Sequence, residues 1–141
     1  MTARKYCLVV DDSEVIREIA ARIVTELGLG AESVEDAASA IEHCSDNRTD
    51  VVLLDWDLPA MGALDFLRGA AELKEEMRPE IILCATENDP QQFTLAKAAG
   101  ARHHILKPFD KQSIAAKLSE IGVVEGHAPD SAKAAAGGRQ S

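Results

Sequence analysis

Apolar residues fall along this chain in two alternating patterns. Short, nearly unbroken runs are KYCLVV (5–10), VVLL (51–54), EIILCA (80–85) and HHIL (103–106), with a weaker one in AESV (31–34). Runs of this length read as strands, and the continuous ones suit strands covered on both faces. Between them the apolar positions recur at helical spacing. Val15, Ile16, Ile19, Ala20, Ile23, Val24 and Leu27 form one such stripe, and Gly28 fits its C-terminal stop. Asp36 can cap a second helix carrying Ala37, Ala40, Ile41 and Cys44. A third carries Leu64, Phe66, Leu67, Ala70 and Leu73, and Pro79 breaks the chain before the fourth strand. Asp89 and Pro90 start a fourth helix that runs to about Ala99 and stops at Gly100. Asp110 can cap a fifth, with Ile114, Leu118 and Ile121 on one face.

Five strand–helix units in succession predict an α/β fold: a five-stranded parallel sheet, doubly wound, with five helices on its two faces and right-handed crossovers. The length of 141 residues fits one domain with a sizeable core. Residues 1–121 are expected to form that domain. Residues 122–141, small, polar and without periodicity after Val124, are expected to be a flexible C-terminal tail.

Charge and composition then narrow the function. The net charge of -9 argues against nucleic acid or an anionic membrane as partner, because phosphate-rich surfaces call for clustered Lys and Arg. No apolar run approaches the roughly 18 residues of a membrane helix, and the N-terminus lacks the pattern of a secretory signal. Cys7, Cys44 and Cys84 are odd in number and widely spaced, which reads as reduced thiols packed as small hydrophobes in a cytoplasmic protein.

Ligands of an open α/β sheet bind beyond the C-terminal ends of its strands. Asp11 and Asp12 follow the first strand, Asp55 follows the third, Ala85 and Thr86 follow the fourth and Lys107 follows the fifth. Three carboxylates, a hydroxyl and an ammonium should therefore converge on one edge. Three close carboxylates do not readily all stay ionised without a cation, and oxygen ligands of this kind suit Mg2+. Lysine cannot bind Mg2+ and a lone threonine adds little to such a site, but both suit phosphoryl oxygens. A carboxylate beside Mg2+ can act as the nucleophile of phosphoryl transfer. The inferred site thus suits a phosphoryl group on a carboxylate.

LVVDDS, VVLLDWDLPAMG, IILCATEND and HHILKPFD resemble the receiver domain of two-component response regulators, and most of all its single-domain, CheY-like chemotaxis type. The match runs from residue 5 to about residue 121. It implies a flavodoxin-like strand order, 2-1-3-4-5. It implies that Asp55 is the phosphoacceptor, phosphorylated by a histidine kinase, and that Asp12 binds Mg2+ directly and Asp11 mostly through water. The backbone carbonyl of Asp57 is a further metal ligand, so the Asp57 side chain need not be one. Thr86 and Lys107 bind phosphoryl oxygens, and the Lys107–Pro108 bond is cis. On phosphorylation Thr86 moves inward and the ring of His104 swings in behind it, changing a surface that partners read. Four positions depart from the family pattern: Glu87 where a small residue is usual, Gly62 and Ala63 in place of an acidic residue and glycine, His104 for Tyr or Phe, and Asp57 for a frequent Asn. Asp57 and Asn88 are expected to tune phosphate lifetime, and Glu87 either to narrow access to Asp55 or to add negative charge near the phosphate.

Such a protein signals by binding: to a flagellar motor switch protein, as a phosphate sink, to a phosphotransfer protein in a relay, or as an adaptor for a kinase or protease. It is expected to be a monomer that is no enzyme beyond promoting its own phosphorylation and dephosphorylation. A haloacid dehalogenase-like phosphatase also carries DxD after a buried strand, then Thr and Lys. Its acidic pair follows the lysine, whereas Asp11 and Asp12 come first here, and the chain has no room for a substrate cap. His103 and His104 are no chelating pair, because adjacent strand residues face opposite ways. Trp56 is expected as a half-exposed ring over the site, and Lys111 and Lys117 as parts of a solvated helix face.

Overall fold

The computed structural model describes residues 5–87 and 89–123. Strands β1 (Tyr6–Val10), β2 (Gly30–Val34), β3 (Val51–Asp55), β4 (Glu80–Ala85) and β5 (His103–Leu106) alternate with helices α1 (Glu14–Glu26), α2 (Ala37–Asp46), α3 (Gly62–Ala71), α4 (Pro90–Ala98) and α5 (Lys111–Glu120). The sheet is parallel in the order β2-β1-β3-β4-β5, as the resemblance implies. The central β3 is buried at all five positions, which explains its unbroken apolar run. β2 and β5 are the edges, and both are partly exposed.

Each face of the sheet has its own core. Leu8, Val10, Val52, Leu54 and Leu83 pack with Phe66 and Leu67 of α3 and Ala40 of α2. Val9, Leu53, Ile82 and Ile105 pack with Ile23 and Val24 of α1 and Ile114 and Leu118 of α5. All three cysteines are free and buried among these residues. Burial pushes the Cys7 thiol up to about 12 and the Cys84 thiol up as well, so both behave as apolar packing groups.

The helix ends follow the expected chemistry. Ser13, Asp36, Asp89 and Asp110 each cap a helix by accepting backbone N–H bonds, and Asp110 forms a reciprocal capping box with Ser113. Gly28 and Gly100 follow α1 and α4 with φ of 96° and 116°, a region open to glycine at little cost.

The α1 stripe needs a correction. Val15 and Ile19 are 63% and 41% exposed, whereas Ala20, Ile23 and Val24 are buried. An apolar stripe shows which residues share a side of the helix; how far round that helix the sheet reaches depends on its tilt. Val123 still packs on the α1–α5 core. The expected tail residues 124–141 lie outside the described residues, as does Asn88.

Candidate functional site at the C-terminal edge of the sheet

The register of the sheet aligns the ends of four strands. Asp55 pairs with Cys84, and Ala85 with Leu106. Asp11 leaves β1 with its N–H on the carbonyl of Val34, and the N–H of Lys107 donates to the carbonyl of Ala85 at 2.7 Å. Acidic and basic side chains thus leave the sheet at nearly one level.

Asp11, Asp12 and Asp55 each offer a carboxylate oxygen, and the three oxygens lie within 4.8 Å of one another. Asp11 and Asp55 are only 4% and 3% exposed, whereas Asp12 faces solvent. Lys107 Nζ donates to Asp11 Oδ2 and to Asp55 Oδ1, both at 2.9 Å. Two further bonds aim these carboxylates. Asp11 Oδ1 accepts the N–H of Ser13, and Asp55 Oδ1 accepts the N–H of Asp57, each at 2.9 Å. Both of those Asp55 bonds fall on Oδ1.

Burial raises the Asp55 pKa above the usual carboxylate range. The bonds from Lys107 and Asp57 oppose the rise, and the charge of Asp11 adds to it. For Lys107, burial favours the neutral amine. The hydrogen bonds and charges of Asp11 and Asp55 together outweigh it and hold the ammonium above its ordinary value. The site is therefore a buried carboxylate pair bridged by one cation, with a third carboxylate at its mouth. An oxygen donor set of this size, open on one side, fits a hard divalent cation that keeps part of its water shell.

Thr86 stands apart from this triad. Its hydroxyl donates to Asp57 Oδ2 at 3.3 Å. Thr86, Asp57 and Glu87 are exposed, and Trp56 beside Asp55 is half-buried against the α2–α3 core. The Lys107–Pro108 peptide is cis. Gly62 has a packing reason: a Cβ built there would stand 3.0 Å from Leu58 Cβ, so any side chain would press on the loop that leads out of the site. Ala63 is buried behind it.

The two histidines diverge. His103 lies between Glu80 of β4 and Glu120 of α5, at 3.8 and 3.7 Å. His104 stacks on Phe93 of α4. Partial burial and the nearby Lys117 lower the His104 pKa, which favours a neutral ring at neutral pH. Lys117 is half-buried and pairs with Glu120 at 3.3 Å, and Lys111 reaches Glu26 at 3.5 Å.

Three residues gained a place that sequence reasoning had not given them. Ser13 orients Asp11, a role that Asp followed two residues later by Ser could have signalled as an Asx turn. Arg17 Nη1 donates to the Asp11 carbonyl at 2.7 Å across one turn of α1. Phe93 had no local signal, because its partner lies on another element.

The model for the response regulator receiver domain matches residues 7–119. The CheY homolog of Campylobacter jejuni is 34% identical over 119 residues, which cover 81% of this chain and 89% of that protein. The chemotaxis response regulator CheY4 of Vibrio cholerae superposes with a TM-score of 0.78 at 25% identity, covering 84% of this chain and 99% of that one. The receiver domain of the sensor histidine kinase PA1611 from Pseudomonas aeruginosa, solved with a magnesium ion in its active-site cleft, superposes with a TM-score of 0.75 at 22% identity, covering 84% and 97%. No helix among the described residues is long and apolar enough to cross a membrane. The matches cover most of the chain and agree with its strand order, and the chain belongs to the response regulator receiver family, in its CheY-like branch.

Proposed function

We propose that the protein is a phosphoacceptor switch in which Asp55 takes a phosphoryl group from the phosphohistidine of a histidine kinase. An Asp55 carboxylate oxygen attacks phosphorus, the N–P bond breaks, and the imidazole leaves with the electron pair. The product is an acyl phosphate. Mg2+ would be held by Asp11, Asp12, Asp55 and the backbone carbonyl of Asp57, and would supply charge neutralisation for the incoming phosphoryl oxygens. Lys107 already touches Asp55 and would follow the new negative charge. Thr86 would leave Asp57 for a phosphoryl oxygen, and His104 would move inward behind it. The Asp57 carboxylate competes for the Thr86 hydroxyl, which gives it a route to tune phosphate lifetime. Asn88 and Glu87 would tune it as well. The observation that carries this reading is the buried Asp55 oxygen 2.9 Å from Lys107 within a triad of carboxylates.

Residues 1–121 would be the receiver domain and 122–141 its tail. The protein would act in the cytoplasm as a monomer. Its output would be phosphorylation-dependent binding to a flagellar motor switch protein, or service as a phosphate sink. Asp55→Asn should abolish labelling by a radioactive phosphodonor in the presence of Mg2+, while Asp57→Asn should take up label and change only its half-life. Retained labelling in Asp55→Asn overturns the reading. A pull-down with beryllofluoride, a phosphoryl mimic, then reads the pathway. Motor-switch protein retained only in the activated state supports chemotaxis. A histidine phosphotransfer protein retained alone supports a relay, and a kinase or protease an adaptor.

A further inference from the structure

His104 sits on the edge strand β5, opposite Leu83 in the register, and so on the sheet face packed by α2 and α3. Its ring is stacked on Phe93, with centroids 4.0 Å apart and planes at 23°. Phe93 is half-buried and packs against the core of that face. One member of the stack is thus anchored in α4. The other is the exposed ring that the receiver reading makes the moving part. His103 is occupied on the opposite face by Glu80 and Glu120, so it does not compete for Phe93. A stacked pair contributes beyond the area it buries, enough to bias a two-state equilibrium by roughly three- to tenfold.

We propose that Phe93 is a positioning residue that holds the His104 ring outward in the unphosphorylated protein, and so sets how far phosphate at Asp55 shifts the switch. The inference rests on the receiver reading and on His104 as its swinging ring. The stack exists only in the outward state, so its energy counts against the activated one. A phosphoryl mimic that prefers the activated state must overcome that bias, and removing the stack tightens its binding by the same factor. The neutral ring of His104 suits the exchange, because an uncharged imidazole can leave an aromatic partner for an apolar space without stranding a charge.

The probe is beryllofluoride with Mg2+, and the reporter is the single tryptophan, Trp56, next to the phosphoacceptor. Phe93→Leu keeps apolar bulk on the core but offers no ring, and Phe93→Tyr keeps the ring. Phe93→Leu should bind the mimic roughly three- to tenfold tighter than wild type. Phe93→Tyr should match wild type. In a His104→Ala background Phe93→Leu should add nothing. The upfield ring-current shift of the His104 protons should disappear in Phe93→Leu and, in the wild type, on addition of the mimic. Equal affinity of wild type and Phe93→Leu overturns the inference, as does tightening that persists without His104. A wild type that shows no response to beryllofluoride overturns the receiver reading itself and the inference with it.

Discussion

Both ends of the sheet carry a carboxylate, a cation and a backbone N–H in contact, and only one of them buries the cation with its partners. At the N-terminal end Asp50 accepts the N–H of Tyr6 at 2.8 Å and pairs with Arg48 at 3.8 Å. Arg48 is 72% exposed, so water screens the pair and little energy depends on it. At the C-terminal end Lys107 bridges two carboxylates at 2.9 Å, with its own side chain 13% exposed. Burial there turns the same ingredients into a coupled unit. The charges are held by one another and by the N–H groups of Ser13 and Asp57, and a group that neutralises or replaces one of them shifts the whole set. A cavity of about 780 Å3 opens at the N-terminal end among Tyr6, His43, Arg48 and Asp50. Volume does not mark the candidate site; burial of paired charges does.

The largest effect expected from this contrast comes from Lys107→Met. Two buried carboxylates then lose their common cation, and urea unfolding without metal should show a loss of about 3 kcal/mol. Mg2+ at saturating concentration should restore part of that loss, because it can neutralise the same carboxylates.

Asp55→Asn should act in the opposite direction. The raised Asp55 pKa means that its ionised form fits the folded protein less well than water. Removing the charge should stabilise the metal-free protein by on the order of 1 kcal/mol, the scale on which functional groups are held against stability. The pH dependence has a definite sign. Between the unfolded value near 3.8 and the higher folded value, the folded state binds more protons. Asp55 therefore favours folding in acid, and that contribution is lost as pH rises through the folded value. The advantage of Asp55→Asn over wild type should shrink as pH falls through this window, and matched urea titrations at several pH values check it.

The smallest effect belongs to Arg48→Ala, which should change stability by less than about 0.5 kcal/mol and leave Mg2+ binding unaltered. A loss as large as that of Lys107→Met would remove the distinction between the two ends.

Much of the C-terminal end is legible in the sequence. Asp11, Asp12, Asp55 and Lys107 each stand directly after a strand-like run, and parallel order brings such positions to one edge whatever the details of packing. The opposite facing of His103 and His104 follows from the two-residue period of a strand. The exposed Val15 and Ile19 were not legible, because helical spacing is blind to where the sheet ends. Gly62 looked like a bare departure from the family pattern until Leu58 was found against it.

By itself, the sequence determined which charged and polar residues follow each strand and the strand end at which each one lies. Those properties depend on spacings of a few residues, which propensity, capping and periodicity govern locally. Only the tertiary structure decided who touches whom: Lys107 on two carboxylates, Thr86 on Asp57 rather than on the triad, and Phe93 on His104. Most of these partners lie far apart along the chain. Their pairing depends on how α4 and the loop after β3 settle against the sheet, and no local pattern encodes that.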